Sequence, residues 1–361
     1  MPASVGRVLS FSAIVTLYDS NLPNAESAIS VLPFQTFAFF AALRETSNVQ
    51  TVLTSNVNEA AEFIRRGGVV AFPTETVYGL GANVFDEAAV AKIFDAKKRP
   101  ADNPLIAHVA SVDQIAELAK SISPNAHLFI NAFFPGPLTV VLPRSERVPL
   151  IATAGLDTIG VRMPRYLLAN EFLCACGVPV VAPSANLSGR PSPTTWQAVL
   201  EDLDRRIDCI LQGDPTEIGL ESTVVDCTGD VPVLLRQGAV SLAELQSVVP
   251  ETIEYKQVRY DSPRSPGLKH RHYSPAATVV ITDPKFEISD GRSSAFIGIG
   301  KAEYPFEFAR ECASVGEYAH SVFEFFRECD RMGIRTIYCE SVPETGIGAA
   351  LMDRLRRAAE G

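Results

Sequence analysis

Val69-Val70-Ala71-Phe72-Pro73-Thr74-Glu75-Thr76-Val77-Tyr78-Gly79-Leu80-Gly81 is the stretch on which the reading of the fold turns. Its first four residues are apolar and rich in β-branched and aromatic side chains, the composition of a short buried strand, and Pro73 stops that strand. Thr74, Glu75 and Thr76 are therefore delivered at a strand end together with Tyr78. Gly79 and Gly81 read as a turn that lets the backbone approach a ligand. On the N-terminal side Val57, Ala60, Ala61 and Ile64 form a helical stripe that ends at Gly67-Gly68. On the C-terminal side Asp86 caps a helix whose Val90, Ile93 and Phe94 fall at i, i+3 and i+4. Lys97 follows on the same face and, with Arg99, enters a loop stiffened by Pro100 and Pro104. A point charge and a bidentate fork beside Asn103 suit a polyanion such as a nucleoside triphosphate.

Strand and helix alternate outward from this stretch. Leu105–Val109 reads as a strand, and Ser111-x-x-Gln114 as a capping box for the helix carrying Ile115 and Leu118. Further strands are expected at 138–142, 158–162, 178–182, 209–212, 222–226 and 233–236, and helices at 128–134, 167–176 and 196–207. Ser241-x-x-Glu244 caps one more helix. Such alternation predicts an α/β sheet with helices on its faces. Between about Pro250 and Pro275 the chain is polar and punctuated by proline, as an interdomain linker is. Beyond it, strands at 278–281, 295–299 and 336–339 and helices at 315–331 and 349–359 predict a small Rossmann-like unit. Its Gly298-x-Gly300 reads as a turn, because Glu303 stands where a dinucleotide fingerprint needs glycine.

Composition narrows the class. The chain of 361 residues is long enough for two domains. Its net charge of −10 weighs against a surface that wraps nucleic acid, so a cationic cluster must be local and purposeful. The seven cysteines contain no Cys-x-x-Cys and read as buried, reduced thiols of a cytosolic protein. No run approaches the ~20 apolar residues of a membrane span. Residues 1–54 lack a clear period and read as a poorly ordered extension, with a targeting peptide as the lesser reading.

Lys97, Arg99, Arg162 and Arg236 each fall at or just after the end of an element. One such cation is ordinarily a solvated surface charge, but strand and helix ends of an open α/β sheet converge on a single crevice. Thr76, Asn103, Thr158, Ser184, Asn186, Ser192 and Ser222 supply hydroxyl and amide groups at similar positions; singly, each is a common cap or turn residue. In Ala182-Pro183-Ser184-Ala185-Asn186 two of them follow an apolar strand directly. No Ser/His/Asp triad is visible.

The run Pro73–Gly81, Lys97-x-Arg99, Asn103-Pro-Leu-Ile106 with His108, and Ser184-Ala185-Asn186 resemble the YrdC-type threonylcarbamoyl-AMP synthases over Ser55–Val249. Ser265-Pro-Gly-Leu-Lys-His-Arg-His-Tyr-Ser-Pro275 is similar to the linker of that family's two-domain form. The resemblance implies an α/β protein: a YrdC-like twisted open sheet with flanking helices over 55–249, a linker over 250–275 that folds across the cleft, and a Rossmann-like C-terminal domain over 276–361. It implies a reaction of L-threonine, bicarbonate and ATP that yields threonylcarbamoyl-adenylate and pyrophosphate for tRNA modification. L-Threonine would be held by Thr76, His108, Arg162, Ala182 through its backbone, and Ser222. ATP would be held by Arg99, Asn103, Thr158, Ser184, Ser192, Arg236 and His270, the last where the family usually carries tyrosine. Lys97 and Arg99 would stabilise phosphoryl charge, with magnesium carried by the ATP phosphates and no metal site in the protein. Glu75 would help orient or deprotonate the amine. The implied setting is cytoplasmic, with a downstream tRNA threonylcarbamoyl transferase machinery as partner, weak RNA binding left open, and no membrane. Two rivals stand beside this reading: a carbamoyltransferase using a carbamoyl-adenylate, whose zinc-finger cysteines and acylphosphatase unit are missing here, and a double-stranded RNA-binding module.

Overall fold

A computed structural model describes residues 50–100, 102–255, 273–283, 293–302 and 304–360. Among these, eleven strands share one sheet and four share another. In chain order the first part runs β1 (Val52–Thr54), α1 (Val57–Arg65), β2 (Val70–Phe72), β3 (Gly79–Asn83), α2 (Glu87–Lys97), β4 (Ile106–His108), α3 (Ile115–Leu118), α4 (Pro124–Phe133), β5 (Leu138–Pro143), β6 (Thr158–Arg162), α5 (Leu167–Cys176) and β7 (Val180–Val181). It continues with α6 (Trp196–Leu203), β8 (Cys209–Leu211), β9 (Thr223–Asp226), β10 (Val233–Arg236), α7 (Leu242–Val248) and β11 (Ile253–Glu254). The second part comprises β12 (Thr278–Thr282), β13 (Ser294–Ile299), β14 (Phe308–Cys312), α8 (Val315–Met332), β15 (Thr336–Glu340) and α9 (Ile347–Ala359).

The large sheet has the order β1-β8-β2-β3-β7-β4-β6-β5-β9-β10-β11 and mixes parallel with antiparallel pairs. Period-two alternation divides its residues between two cores. Val69 and Ala71 join Tyr78, Val90, Ile93 and Phe94 on one face, whereas Val70 and Phe72 join Ala60, Ile64 and Phe172 on the other. Phe72 is wholly buried with its ring 5.0 Å from that of Phe172, a burial that contributes about 1.5–3 kcal/mol. The small sheet, β12-β15-β13-β14, is entirely parallel. Its core is built on Phe323, Phe325 and Phe326 of α8 and also takes in Leu220 and Tyr273.

Several local expectations change. Gly79 and Gly81 are not a turn but lie in β3. A Cβ on Gly81 would come within 2.6 Å of Val180 and 3.0 Å of Phe72, so glycine is needed there for close strand packing. Ser111 makes no side-chain cap, and Gln114 instead accepts from the Ala110 N–H at 2.8 Å. By contrast Asp86 and Ser241 cap as expected, Ser241 with Glu244 in a full capping box. Strands β1, β11 and β14 escape the sequence reading because two or three residues, or the alternation Phe-Ala-Arg-Glu-Cys, carry too little apolar signal. Among the described residues no helix is long and apolar enough to cross a membrane. Residues 1–49 and 256–272, which include most of the expected extension, the basic linker cluster and His270, lie outside the described residues.

Candidate active site

Strand ends of the large sheet open onto a cleft of about 640 Å³, mouth included. Thr74 follows β2, and its hydroxyl donates to the Val77 carbonyl at 2.7 Å while accepting from the Thr76 N–H at 3.2 Å. This local turn aims Thr76 at Arg162, whose Nη1 donates to the Thr76 hydroxyl at 2.7 Å. Arg162 ends β6 and forms an ion pair of 2.8 Å with Glu75, in which neither side chain is more than 4% exposed. A buried carboxylate thus fixes the guanidinium beside the cavity. His108 ends β4 opposite Arg162 in the parallel register, edge-on to Phe72. Ala182 completes this side; its N–H goes to the Ile106 carbonyl, so its own carbonyl is the backbone group it can offer a ligand.

The other side is cationic. Arg99 lines the cleft, yet its Nε has no hydrogen-bond partner, and its contacts with the Asn103 and Pro104 carbonyls are long, 3.4 Å each. Burial lowers its pKa to about 10. Arg236, at the end of β10, donates to the Ser222 carbonyl at 3.0 Å and to the Ser222 hydroxyl at 3.1 Å, and burial lowers its pKa too. One buried and one half-buried guanidinium in the same cavity are costly without an anion, so the cleft is electrostatically prepared for one. Ser184, Glu221 and Tyr273 lie along the same wall.

Thr76, Arg99, His108, Arg162, Ala182, Ser184, Ser222 and Arg236 therefore meet in one cavity, as the sequence led us to expect. Four expected residues do not line it. Lys97 is buried at the end of α2, where its ammonium donates to the Ser184 carbonyl at 2.5 Å and to both the carbonyl and side-chain oxygens of Asn186. Burial, then the neighbouring Arg99, pushes its pKa well down. In place of a direct phosphate contact, Lys97 staples the 184–186 turn. Asn103 sits behind Arg99, and Ser192 donates its hydroxyl to Glu221 at 2.5 Å. Thr158 shares a sheet face with Arg162 but stands at the opposite end of β6, about 13 Å away at ~3.3 Å per residue. His270 lies outside the described residues, and among the described residues of the linker Tyr273 lines the cleft. Glu221 and Tyr273 were missed. The His-Tyr pair in the basic linker was a signal for Tyr273, whereas nothing local marks Glu221.

His108 carries a pH prediction. Burial, with a smaller push from Arg162, lowers its pKa from 6.5 to about 3, so the ring is neutral in the folded protein. The unfolded chain binds this proton more readily. The histidine's contribution to stability is then complete above pH 6.5 and lost progressively as pH falls toward 3. A His108→Gln variant should show a shallower loss of urea midpoint between pH 6.5 and 4 than the parent, by up to ~1.4 kcal/mol per pH unit. Parallel profiles would show that His108 is not the titrating group.

Comparison with known proteins places this geometry. Residues 62–238 match the Sua5, YciO and YrdC family described as "Telomere recombination", and residues 240–360 match the "Threonylcarbamoyl-AMP synthase, C-terminal domain" family. A threonylcarbamoyl-AMP synthase of Pyrococcus abyssi is 45% identical over 315 residues, 83% of this chain and 92% of that protein. One from Bacillus subtilis is 39% identical, covering 84% and 93%. The crystal structure of P. abyssi Sua5 complexed with L-threonine superposes with a TM-score of 0.79 at 43% identity, over 87% of this chain and 98% of that one.

Proposed function

The chain belongs to the threonylcarbamoyl-AMP synthase family, and from that premise we propose how its cleft divides the work between two substrates. The enzyme converts L-threonine, bicarbonate and ATP into threonylcarbamoyl-adenylate and pyrophosphate, for threonylcarbamoyladenosine in tRNA. The observation that carries the assignment of subsites is the pairing, in one cavity, of an arginine in a 2.8 Å ion pair with Glu75 and two further arginines, Arg99 and Arg236, whose hydrogen bonds to Asn103, Pro104 and Ser222 go to carbonyl and hydroxyl oxygens.

Arg162, fixed by Glu75, takes the threonine carboxylate. Thr76, Ser222, neutral His108 and the Ala182 carbonyl surround its amine and side chain. Arg99 and Arg236 take the triphosphate and Ser184 the nucleotide, with Tyr273 at the linker's edge of the cleft. Asn103 acts behind Arg99, Ser192 through Glu221, and Lys97 through the turn it staples. The amine and bicarbonate form a C–N bond with loss of water, and the resulting carbamate oxygen attacks the α-phosphorus while the bond to pyrophosphate breaks. The protein's part is to hold two anions in line and to stabilise charge as pyrophosphate departs.

Magnesium would accompany ATP. Among the described residues no group of three His, Cys, Asp or Glu side chains could hold a metal, and the cleft's Glu221 is occupied by Arg354 and Ser192. The ion's ligands would be the phosphate oxygens, whose charge it would offset. The adenylate passes to a tRNA threonylcarbamoyl transferase machinery in the cytoplasm, and the cleft cations account for any weak RNA binding.

Pyrophosphate release tests the reading. Release should require L-threonine and bicarbonate, with L-serine and glycine much poorer. Arg162→Ala should raise KM for L-threonine about ten- to a hundredfold and KM for ATP far less, as expected for a charge-assisted contact worth ~1.5–3 kcal/mol. Equal turnover with no amino acid would overturn the assignment.

A further inference from the structure

Helix α9 of the C-terminal domain reaches the cleft through one side chain. Arg354 is 1% exposed, and its Nε donates to Glu221 Oε2 at 2.9 Å. Its Nη2 donates to the Gln237 carbonyl at 3.0 Å, its Nη1 to Asp353 at 2.6 Å, and its guanidinium lies 5.2 Å from the centre of the Tyr273 ring. Gln237 follows Arg236 in the chain, and Glu221 precedes Ser222, the residue that holds Arg236. Arg354 therefore grips the segment just before β9, which carries Ser222, and the residue just after β10, next to Arg236.

Glu221 is the centre of this arrangement. Its other oxygen accepts from Ser192, and it lines the cleft beside Arg236. Burial pushes its pKa up, but Arg354 and then Arg236 outweigh that, leaving it lowered and the group ionised. A carboxylate so placed will seek a counter-ion wherever one is in reach. With Arg354 present the counter-ion comes from the C-terminal domain. Without it, the neighbouring cation is Arg236.

We propose that Arg354 is a positioning residue for the nucleotide subsite: by engaging Glu221 it keeps that carboxylate from closing an ion pair with Arg236, which then holds its guanidinium on Ser222 and faces the triphosphate. The inference rests on the assignment of Arg236 to ATP made above. It gives the C-terminal domain a part in substrate binding rather than in stability alone, since Arg354 engages Glu221 and Tyr273, both of which line the cleft.

The test uses the full chain and pyrophosphate release, with KM measured separately for ATP and L-threonine. Arg354→Met should raise KM for ATP about tenfold or more, as loss of one charge-assisted phosphate contact would, and leave KM for L-threonine within about twofold. Arg354→Lys, which can still reach Glu221, should recover part of the loss. Adding Glu221→Gln to Arg354→Met should recover most of it, because a neutral amide does not compete for Arg236. If Arg354→Met does not fold, Arg354→Gln with and without Glu221→Gln carries the same comparison. Equal rises in both KM values with no recovery in the double variant would overturn the proposal and leave Arg354 as a packing contact. An Arg236→Ala variant with unaltered KM for ATP would overturn the subsite assignment beneath it instead.

Discussion

Arg99→Ala is expected to lower kcat/KM for ATP by about a hundred- to a thousandfold, the range found when a preorganised cation or donor is removed from a charged transition state. The fold should not suffer. Arg99 is half-buried, its Nε has no hydrogen-bond partner among the described residues, and its contacts with the Asn103 and Pro104 carbonyls are 3.4 Å long, so alanine removes a charge but no short structural bond. The thermal midpoint of the variant should therefore equal or exceed that of the parent. Arg99→Lys should restore little, because a point charge does not reproduce a bidentate fork. The pair of measurements, pyrophosphate release and thermal melting, separates the functional role from a structural one. Full turnover in Arg99→Ala, or a melt lowered as far as the activity, would sink this account of the residue.

The largest effect on stability is expected at Asp202. This α6 residue is buried and accepts from Arg327 of α8 at 2.9 and 3.2 Å, from Arg190 at 2.5 Å and from the Leu187 N–H at 3.1 Å. Arg327 is itself 1% exposed and donates also to the Pro191 carbonyl. Asp202→Ala leaves that guanidinium buried without its main counter-ion, which costs about 3–5 kcal/mol. Asp202→Asn keeps the shape and some hydrogen bonds and should lose less. Urea midpoints at unchanged m-value are the readout. The loss should be accompanied by a lower affinity for ATP, since the 187–192 segment leads directly from the 184–186 turn. A loss below ~1 kcal/mol would mean that the pair contributes no more than an exposed one.

Much of the site was legible because strand ends are local events. An apolar run stopped by Pro73 delivers Thr74, Glu75 and Thr76, and the strands 106–108, 158–162 and 233–236 deliver His108, Arg162 and Arg236. Period-two alternation and one proline suffice for that inference. The same logic failed wherever a residue's role depends on a neighbour distant in the chain. The pairing of Lys97 with Arg99 in a proline-stiffened loop points to a phosphate, yet carbonyls of Ser184 and Asn186, 87 and 89 residues away, surround it. Gly79 and Gly81 suggest a turn because glycine is permissive, whereas both lie in a strand and the bulk of Phe72 and Val180 is what demands glycine at 81.

The sequence by itself determined the α/β alternation, the class of the reaction through its motifs, and the strand-end side chains Thr76, His108, Arg162 and Arg236 of the cleft, since each rests on short-range pattern. Only the tertiary structure decided which cations face the cleft. Glu75 clamps Arg162, Asn186 engages Lys97, and Arg354 of the last helix occupies Glu221 beside Arg236. The physical reason is that a charge's availability is set by what surrounds it after burial, and those surroundings are assembled from segments that no local pattern connects.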